Sequence, residues 1–180
     1  MRWIKVVLCL ILSLTSFASI PYLQRQEKLF YSRNEPFFIN PAPNKSGVLY
    51  IRSDSYGKGY YGASRNGGRS HKGIDVMAAV GSSIVAAKSG RVVVAGIDSG
   101  YGDYIEIQHP DGLCTRYAHL SRSMVQVGDW VKRGQLIGKS GKSGNARNAR
   151  IIPHLHFEVR QGADAVNPTS GLLDPSILVK

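Results

Sequence analysis

The sequence predicts an all-β domain, a compact sandwich of antiparallel sheets, and three observations lead there. From Gly47 onward, short runs rich in Val, Ile and Tyr alternate with clusters of Gly, Asp, Asn and Ser, the pattern of half-buried strands between turns. Turn signals such as Asp98-Ser99-Gly100 and Pro110-Asp111-Gly112 fall at hairpin distances. No stretch after Gly47 sustains a helical period, so few or no helices are expected beyond the N-terminal segment.

Taken in order, the chain starts with Arg2 and Lys5, an apolar run from Val6 to Leu14, and the small-residue stretch Ser16-Phe17-Ala18. That three-part layout reads as a secretory signal peptide over residues 1–18, cleaved after Ala18. The run is short for a spanning helix, which needs about 20 apolar residues; membrane attachment is expected only if the segment stays uncleaved. Residues 19–46 mix Pro, Asn and charge and read as an arm or linker with little helix. The domain is expected over 47–180. Its candidate strands are Val48–Arg52, Ser83–Ala87, Arg91–Ile97, Tyr104–His109, Leu113–Leu120, Gln135–Gly138 and Leu155–Arg160.

Composition limits the function classes. At 180 residues the chain holds one ordinary domain, and 43% hydrophobic against 19% charged residues excludes wholesale disorder. The formal charge of +11, which falls to +9 once Arg2 and Lys5 leave with the signal, points to an anionic partner. Only Cys114 would remain after cleavage, which excludes an intramolecular disulfide and reads as a small sheet residue. Gly57-Lys58-Gly59-Tyr60-Tyr61-Gly62 matches G-x-G-x-x-G, but Ala63–Gly68 cannot supply the helix that such a loop feeds. The Gly-Lys-Ser runs at 138–140 and 141–143 lack the upstream glycine of a phosphate loop.

Four of the five histidines carry the chemical signal. Along His154-Leu155-His156-Phe157-Glu158-Val159 a strand puts His154, His156 and Glu158 on one face and the three apolar residues on the other. Two such histidines serve equally well as a structural pair or as a site. His71 and Asp75 would stand about 13 Å apart on a straight strand, too far to share an ion. Gly73 between them allows a bend that turns both to one centre. His71, Asp75 and His156 would then make a three-ligand site with a fourth position for water. His119, in Tyr117-Ala118-His119-Leu120, ends a strand. His109, beside Pro110-Asp111-Gly112, is expected in an exposed turn. Glu158 is expected to support the site, and Tyr101 and Tyr117 to pack in sheets.

From about Gly57 to Pro175 the sequence resembles the lysostaphin-type (LytM-type) zinc peptidases of bacterial peptidoglycan. His71-Lys72-Gly73-Ile74-Asp75 is similar to their H-x-x-x-D motif, His154-Leu155-His156 to their H-x-H motif, and Tyr117–Leu120 to their intervening histidine motif. The resemblance implies one Zn2+ per chain, set in a groove and held by His71, Asp75 and His156, with His119 and His154 assisting catalysis. It implies an exported protein of the periplasm or cell envelope acting on peptidoglycan peptides, with the basic surface drawn to an anionic wall polymer. A non-catalytic scaffold or activator of another wall hydrolase would share this fold, and loss of a site residue would mark it; all five are present. The runs 127–131 and 134–138 also look like lipoyl-carrier hairpins but show no modifiable lysine at a tip. No nucleic acid is expected, because no aromatic–basic ladder is present. The segment Ser143–Pro153 before H-x-H is long and borders the site.

Overall fold

The computed structural model describes residues 25–180 except residue 66. The expected signal peptide at 1–18 lies outside the described residues. Residues 25–34 form a helix, α1, where an arm with little helix was expected. Arg25-Gln26-Glu27-Lys28-Leu29 are strong helix formers. The Asn34 amide closes the last turn on Phe30 O at 2.7 Å, and Pro36 prevents continuation. No helix of the described residues is long and apolar enough to cross a membrane.

Residues 37–180 make a separate compact unit, so the body starts ten residues before the expected boundary at Gly47. Phe38 is the reason. Its side chain is fully buried, its N–H donates to Leu172 O, and its carbonyl accepts from Asp174 N. Ile39 N and Pro41 O then bond Ala87 O and Val85 N. The Pro- and Asn-rich composition of 37–46 suggested a linker, but one buried aromatic with four backbone hydrogen bonds makes it part of the body. The run Val48–Arg52 is not a regular strand. It carries isolated bridges, Leu49 to Val179 and Ile51 to Val76.

Two short hairpins precede the main sheet: β1 (Ser53–Asp54) with β2 (Gly57–Lys58), and β3 (Ser64–Arg65) with β4 (Arg69–Ser70). The main sheet contains β5 (Ile74–Met77), β6 (Ser83–Val85), β7 (Gly90–Asp98), β8 (Gly102–Gln108), β9 (Leu113–Ser123), β10 (Trp130–Val131), β11 (Leu136–Ser140), β12 (His154–Gln161) and β13 (Asp164–Val166). Its order is β10-β7-β8-β9-β11-β6, with β12 also on β9 and carrying β5 and β13. Every strand pair is antiparallel. The fold is therefore mostly β, as expected.

The long strand β9 makes the sheet fork. Leu113 to Ala118 pair with β12, whereas Leu120 to Ser123 pair with β11. His119 sits at the changeover with φ +63, the one positive φ among the described non-glycine residues. Alternation does the rest. Leu155, Phe157 and Val159 of β12 pack into the buried cluster with Ile74, Ile105, Ile107, Tyr117 and Leu120, leaving the opposite face of β12 for polar residues.

His109 is only 3% exposed, which corrects the expected exposed turn. Its Nδ1–H donates to Ser89 O at 2.9 Å, and Nε2 lies 2.8 Å from the Thr115 hydroxyl. Thr115 and Tyr117 hydroxyls are 3.0 Å apart, and Ala87 N–H donates to Tyr117 Oη. A buried polar chain thus ties the turn to the segment that Phe38 covers, and Phe38 contacts the His109 ring edge-on.

Replacing Phe38 with alanine empties a site in the core. The Phe38→Ala variant is expected to lose about 3–5 kcal/mol of stability, read from urea denaturation. A variant as stable as the wild type would return residues 37–46 to the status of an arm.

Candidate metal centre

β5 lies against β12 in a register that puts Asp75 opposite His156 and Met77 opposite His154. His71 precedes β5 and reaches the same place through a bend at Gly73. Glycine is required there by space, since a Cβ would fall 2.4 Å from Phe157 O. His71 Nε2 is 3.0 Å from Asp75 Oδ1 and 3.0 Å from His156 Nδ1, and His156 Nδ1 is 2.9 Å from Asp75 Oδ1. His154 Nε2 stands 3.8 Å from the same carboxylate oxygen. His119 comes in from β9, its ring centre 5.0 Å from that of His154. All five residues are buried, and they line one cleft of about 1150 Å3 with Tyr101, Arg65 and the 145–151 segment.

Hydrogen bonds define which nitrogen each ring presents. A carbonyl oxygen only accepts, so the nitrogen facing it carries the proton. His71 Nδ1–H donates to Tyr60 O at 2.9 Å, His119 Nδ1–H to Ser143 O at 3.0 Å, and His154 Nδ1–H to Ile152 O at 2.7 Å. His119 and His154, both lowered below the ordinary imidazole value, therefore offer their Nε2 lone pairs, and the His71 ring turns its Nε2 toward Asp75 and His156. His156 is turned the other way: Nε2 donates to Glu158 Oε1 at 3.0 Å, so Nδ1 faces His71 and Asp75.

Outer residues fix the acids. Asp75 Oδ2 accepts from Arg52 and Arg65, each at 2.9 Å, which leaves Oδ1 for the histidines. Glu158, fully buried, accepts from Tyr101 Oη at 2.9 Å, Arg116 at 3.0 Å and Arg160 at 2.9 Å besides His156. Tyr117 packs in the core, and Tyr101 lies on the cleft wall with Arg116 4.2 Å above its ring. Cys114 lies outside the cleft residues, and burial pushes its thiol up to about 11, unsuited to a nucleophile. The sequence marks the segment beginning at Ser143 as bordering the site, but the individual roles of Arg52, Arg65 and Ser143 had no signal, because they arise from contacts 10 to 24 residues away.

The electrostatics divide the histidines. Burial would lower His156, but hydrogen bonds to Asp75 and Glu158 outweigh it and raise the ring to about 9. Burial would raise Asp75, yet hydrogen bonds from His156 and His71 hold it well below the carboxylate range. Glu158 is drawn down to about 2 against its burial by His156 and Arg116. His119 goes the other way: burial, then repulsion from His156 and His154, push it down to about 3. His154 is also lowered, chiefly by burial.

The donor set of His71, Asp75 and His156 has the chemistry of a zinc site. Tetrahedral zinc with ligand bonds of about 2.0–2.1 Å separates its ligands by about 3.3 Å. The three atoms need to open by only a few tenths of an ångström. The two imidazoles and one carboxylate present unprotonated or displaceable sites, so the residues fit the ion.

The lowered His119 links stability to pH. Its folded value lies below the unfolded value of about 6.5, so its stabilising share is complete above 6.5 and lost as pH falls toward 3. In chelator, the wild type is expected to lose stability more steeply between pH 6.5 and 3 than His119→Gln does, measured by melts across that range. Parallel slopes would contradict a buried neutral His119.

Residues 69–168 match the model of Peptidase family M23. The chain is 42% identical over 106 residues to "Stage II sporulation protein Q" of Bacillus subtilis, covering 58% of this chain and 37% of that protein. It is 42% identical over 105 residues to "Lysostaphin" of Staphylococcus simulans, covering 57% and 20%. To "Murein hydrolase activator NlpD" of Salmonella dublin it is 40% identical over 109 residues, covering 60% and 27%. The match thus spans well under half the length of each of these relatives. Among solved structures, a zinc containing peptidase from Vibrio cholerae superposes with TM-score 0.62 at 30% identity, covering 76% of this chain and 41% of that one. The fold, the order of the histidine motifs and these likenesses agree: the chain belongs to Peptidase family M23.

Proposed function

We propose that this protein is an exported zinc endopeptidase that hydrolyses peptide bonds in bacterial peptidoglycan. The observation that carries this reading is the pair His119 and His154, two neutral imidazoles with their Nε2 lone pairs beside the metal-binding set. His71 Nε2, Asp75 Oδ1 and His156 Nδ1 would hold the ion. Zinc, when bound, supplies a Lewis acid and an acidified water.

The remaining work belongs to the chain. His119 and His154 are the groups placed to take a proton from the attacking water and return it to the departing amine. Each ring spends its Nδ1–H on a backbone carbonyl, which leaves Nε2 as the nitrogen free to accept and pass on a proton. Glu158 holds His156 with Nδ1 forward, and Arg52 and Arg65 hold Asp75 with Oδ1 forward, the outer support that metal ligands need. Burial of all five side chains strengthens every charge interaction in the cleft.

A second reading, a non-catalytic activator of another wall hydrolase, draws on the 40% identity to a protein named as such. Retention of all five polar residues in one geometry favours the enzyme. Residues 1–18 serve as the export signal in either case. Of the scattered cations, Arg65 is committed to Asp75, and Arg69, Lys72, Lys142, Arg147 and Arg150 would draw the protein to an anionic wall polymer.

Incubating the mature protein with purified sacculi, with and without chelator, tests the reading by mass spectrometry of released fragments. New peptide termini are expected that need zinc and fall by about 100-fold or more in His154→Ala. Zinc bound without cleavage would hand the protein to the activator reading. Binding to sacculi is expected to weaken at least about ten-fold between roughly 0.05 M and 0.5 M salt; salt-independent binding would remove the basic surface from the account.

A further inference from the structure

One loop holds both histidines that stand outside the metal-binding set. Between β11 and β12 it supplies Ser143 O to His119 Nδ1–H and Ile152 O to His154 Nδ1–H. Two rings on two different strands thus take their tautomers from backbone atoms of a single segment.

Ser143 does more than lend a carbonyl. Its hydroxyl donates to Leu120 O at 2.7 Å and accepts from Asp103 N at 2.9 Å, so it joins β9 to β8 beside His119. His119 occupies the left-handed region at φ +63, which persists in a non-glycine residue only where the surroundings over-determine it. Three bonds supply that constraint: His119 N–H to Tyr101 O at 2.8 Å, the ring to Ser143 O, and the next carbonyl, Leu120 O, to Ser143 Oγ. Two of the three come from Ser143.

Ser143 is itself locked. Gly102 and Gly144 meet back to back, and a Cβ on Gly144 would lie 2.3 Å from Gly102 N. Asn145 N–H donates to Gly100 O at 2.9 Å. The loop continues from this lock along the cleft, where Asn145, Ala146, Asn148 and Ile151 line the wall.

We propose that Ser143 is the positioning residue of His119, holding its backbone in the left-handed region and its ring with Nε2 free, so that the loop lining the cleft also sets the orientation of this histidine. The consequence for activity rests on the proposed peptidase reading. The geometric claim does not.

The test uses the zinc-loaded protein with 15N-labelled histidine, comparing wild type, Ser143→Ala and Ser143→Thr by NMR of the imidazole nitrogens. In wild type the His119 signals should report the Nδ1–H tautomer. Ser143→Ala keeps the carbonyl but loses the hydroxyl bonds to Leu120 O and Asp103 N that hold it against His119, so the signals should move toward the other tautomer or an average of the two, and Ser143→Thr, which keeps the hydroxyl, should restore them. Zinc affinity should stay within about two-fold, because Ser143 makes no hydrogen bond to His71, Asp75 or His156. On peptidoglycan, kcat of Ser143→Ala should fall by about ten- to a hundred-fold with KM little changed. If Ser143→Ala does not fold, Ser143→Cys, a weaker hydrogen-bonding group of similar size, takes its place.

Wild-type tautomer signals in the alanine or cysteine variant would overturn the proposal, as would zinc affinity falling in step with activity. A tautomer change in a protein that cleaves nothing would support the positioning role and refute the peptidase reading alone.

Discussion

The register of β5 on β12 is the constraint on which the rest of the site depends. It puts Asp75 directly opposite His156, and a slip of β5 by one residue would turn Asp75 to the other face of the sheet, away from His156. The register is held from the apolar side, where Ile74 and Phe157 pair and are fully buried with Leu155 and Val159. Gly73 adds a steric lock at the entry to β5, because the backbone approaches Phe157 O too closely for any side chain. Core packing on one face of β12 therefore sets the polar geometry on the other.

That geometry concentrates charge where water is scarce. Asp75 and Glu158 are both buried, and a buried carboxylate is tolerated only when fully paired. Each has two guanidinium partners, Arg52 and Arg65 on one, Arg116 and Arg160 on the other. Between the two acids stands His156, bonded to both. The pairing leaves one oxygen of Asp75 pointed at the histidines, so the outer arginines decide which atoms face the ion. Removing an arginine would leave a buried acid half-satisfied, a larger penalty than losing a surface ion pair.

The parts of this arrangement legible in the sequence were those with a local period. His154 to Val159 alternates strictly, so its two faces were readable, and the Gly73 bend followed from the misfit of His71 and Asp75 on a straight strand. Residues whose roles depend on distant contacts were not readable. Arg52 meets Asp75 across 23 residues, and Ser143 meets His119 across 24. His109 sits beside Pro-Asp-Gly, a turn signal that is correct, yet the turn folds inward under Phe38. Composition misled twice more, at α1, where propensity outweighed polarity, and at 37–46, where one buried Phe38 outweighed two prolines.

The left-handed His119 is the place where local preference and global fold disagree most openly. A glycine would satisfy the backbone at φ +63 without strain, and the fork between β12 and β11 needs only the turn. An imidazole there is costly twice, through its backbone and through the burial that keeps it neutral. Neither cost is offset by apolar packing of the kind that Leu120 achieves one residue later. What the imidazole adds is an Nε2 lone pair facing the cleft beside His154, held by Ser143. Strain retained at a position where a simpler residue would serve the fold is what a group selected for proton transfer would leave behind. An activator that only presents this surface to a partner would have no use for it, and this is the strongest physical support for the proposed enzyme.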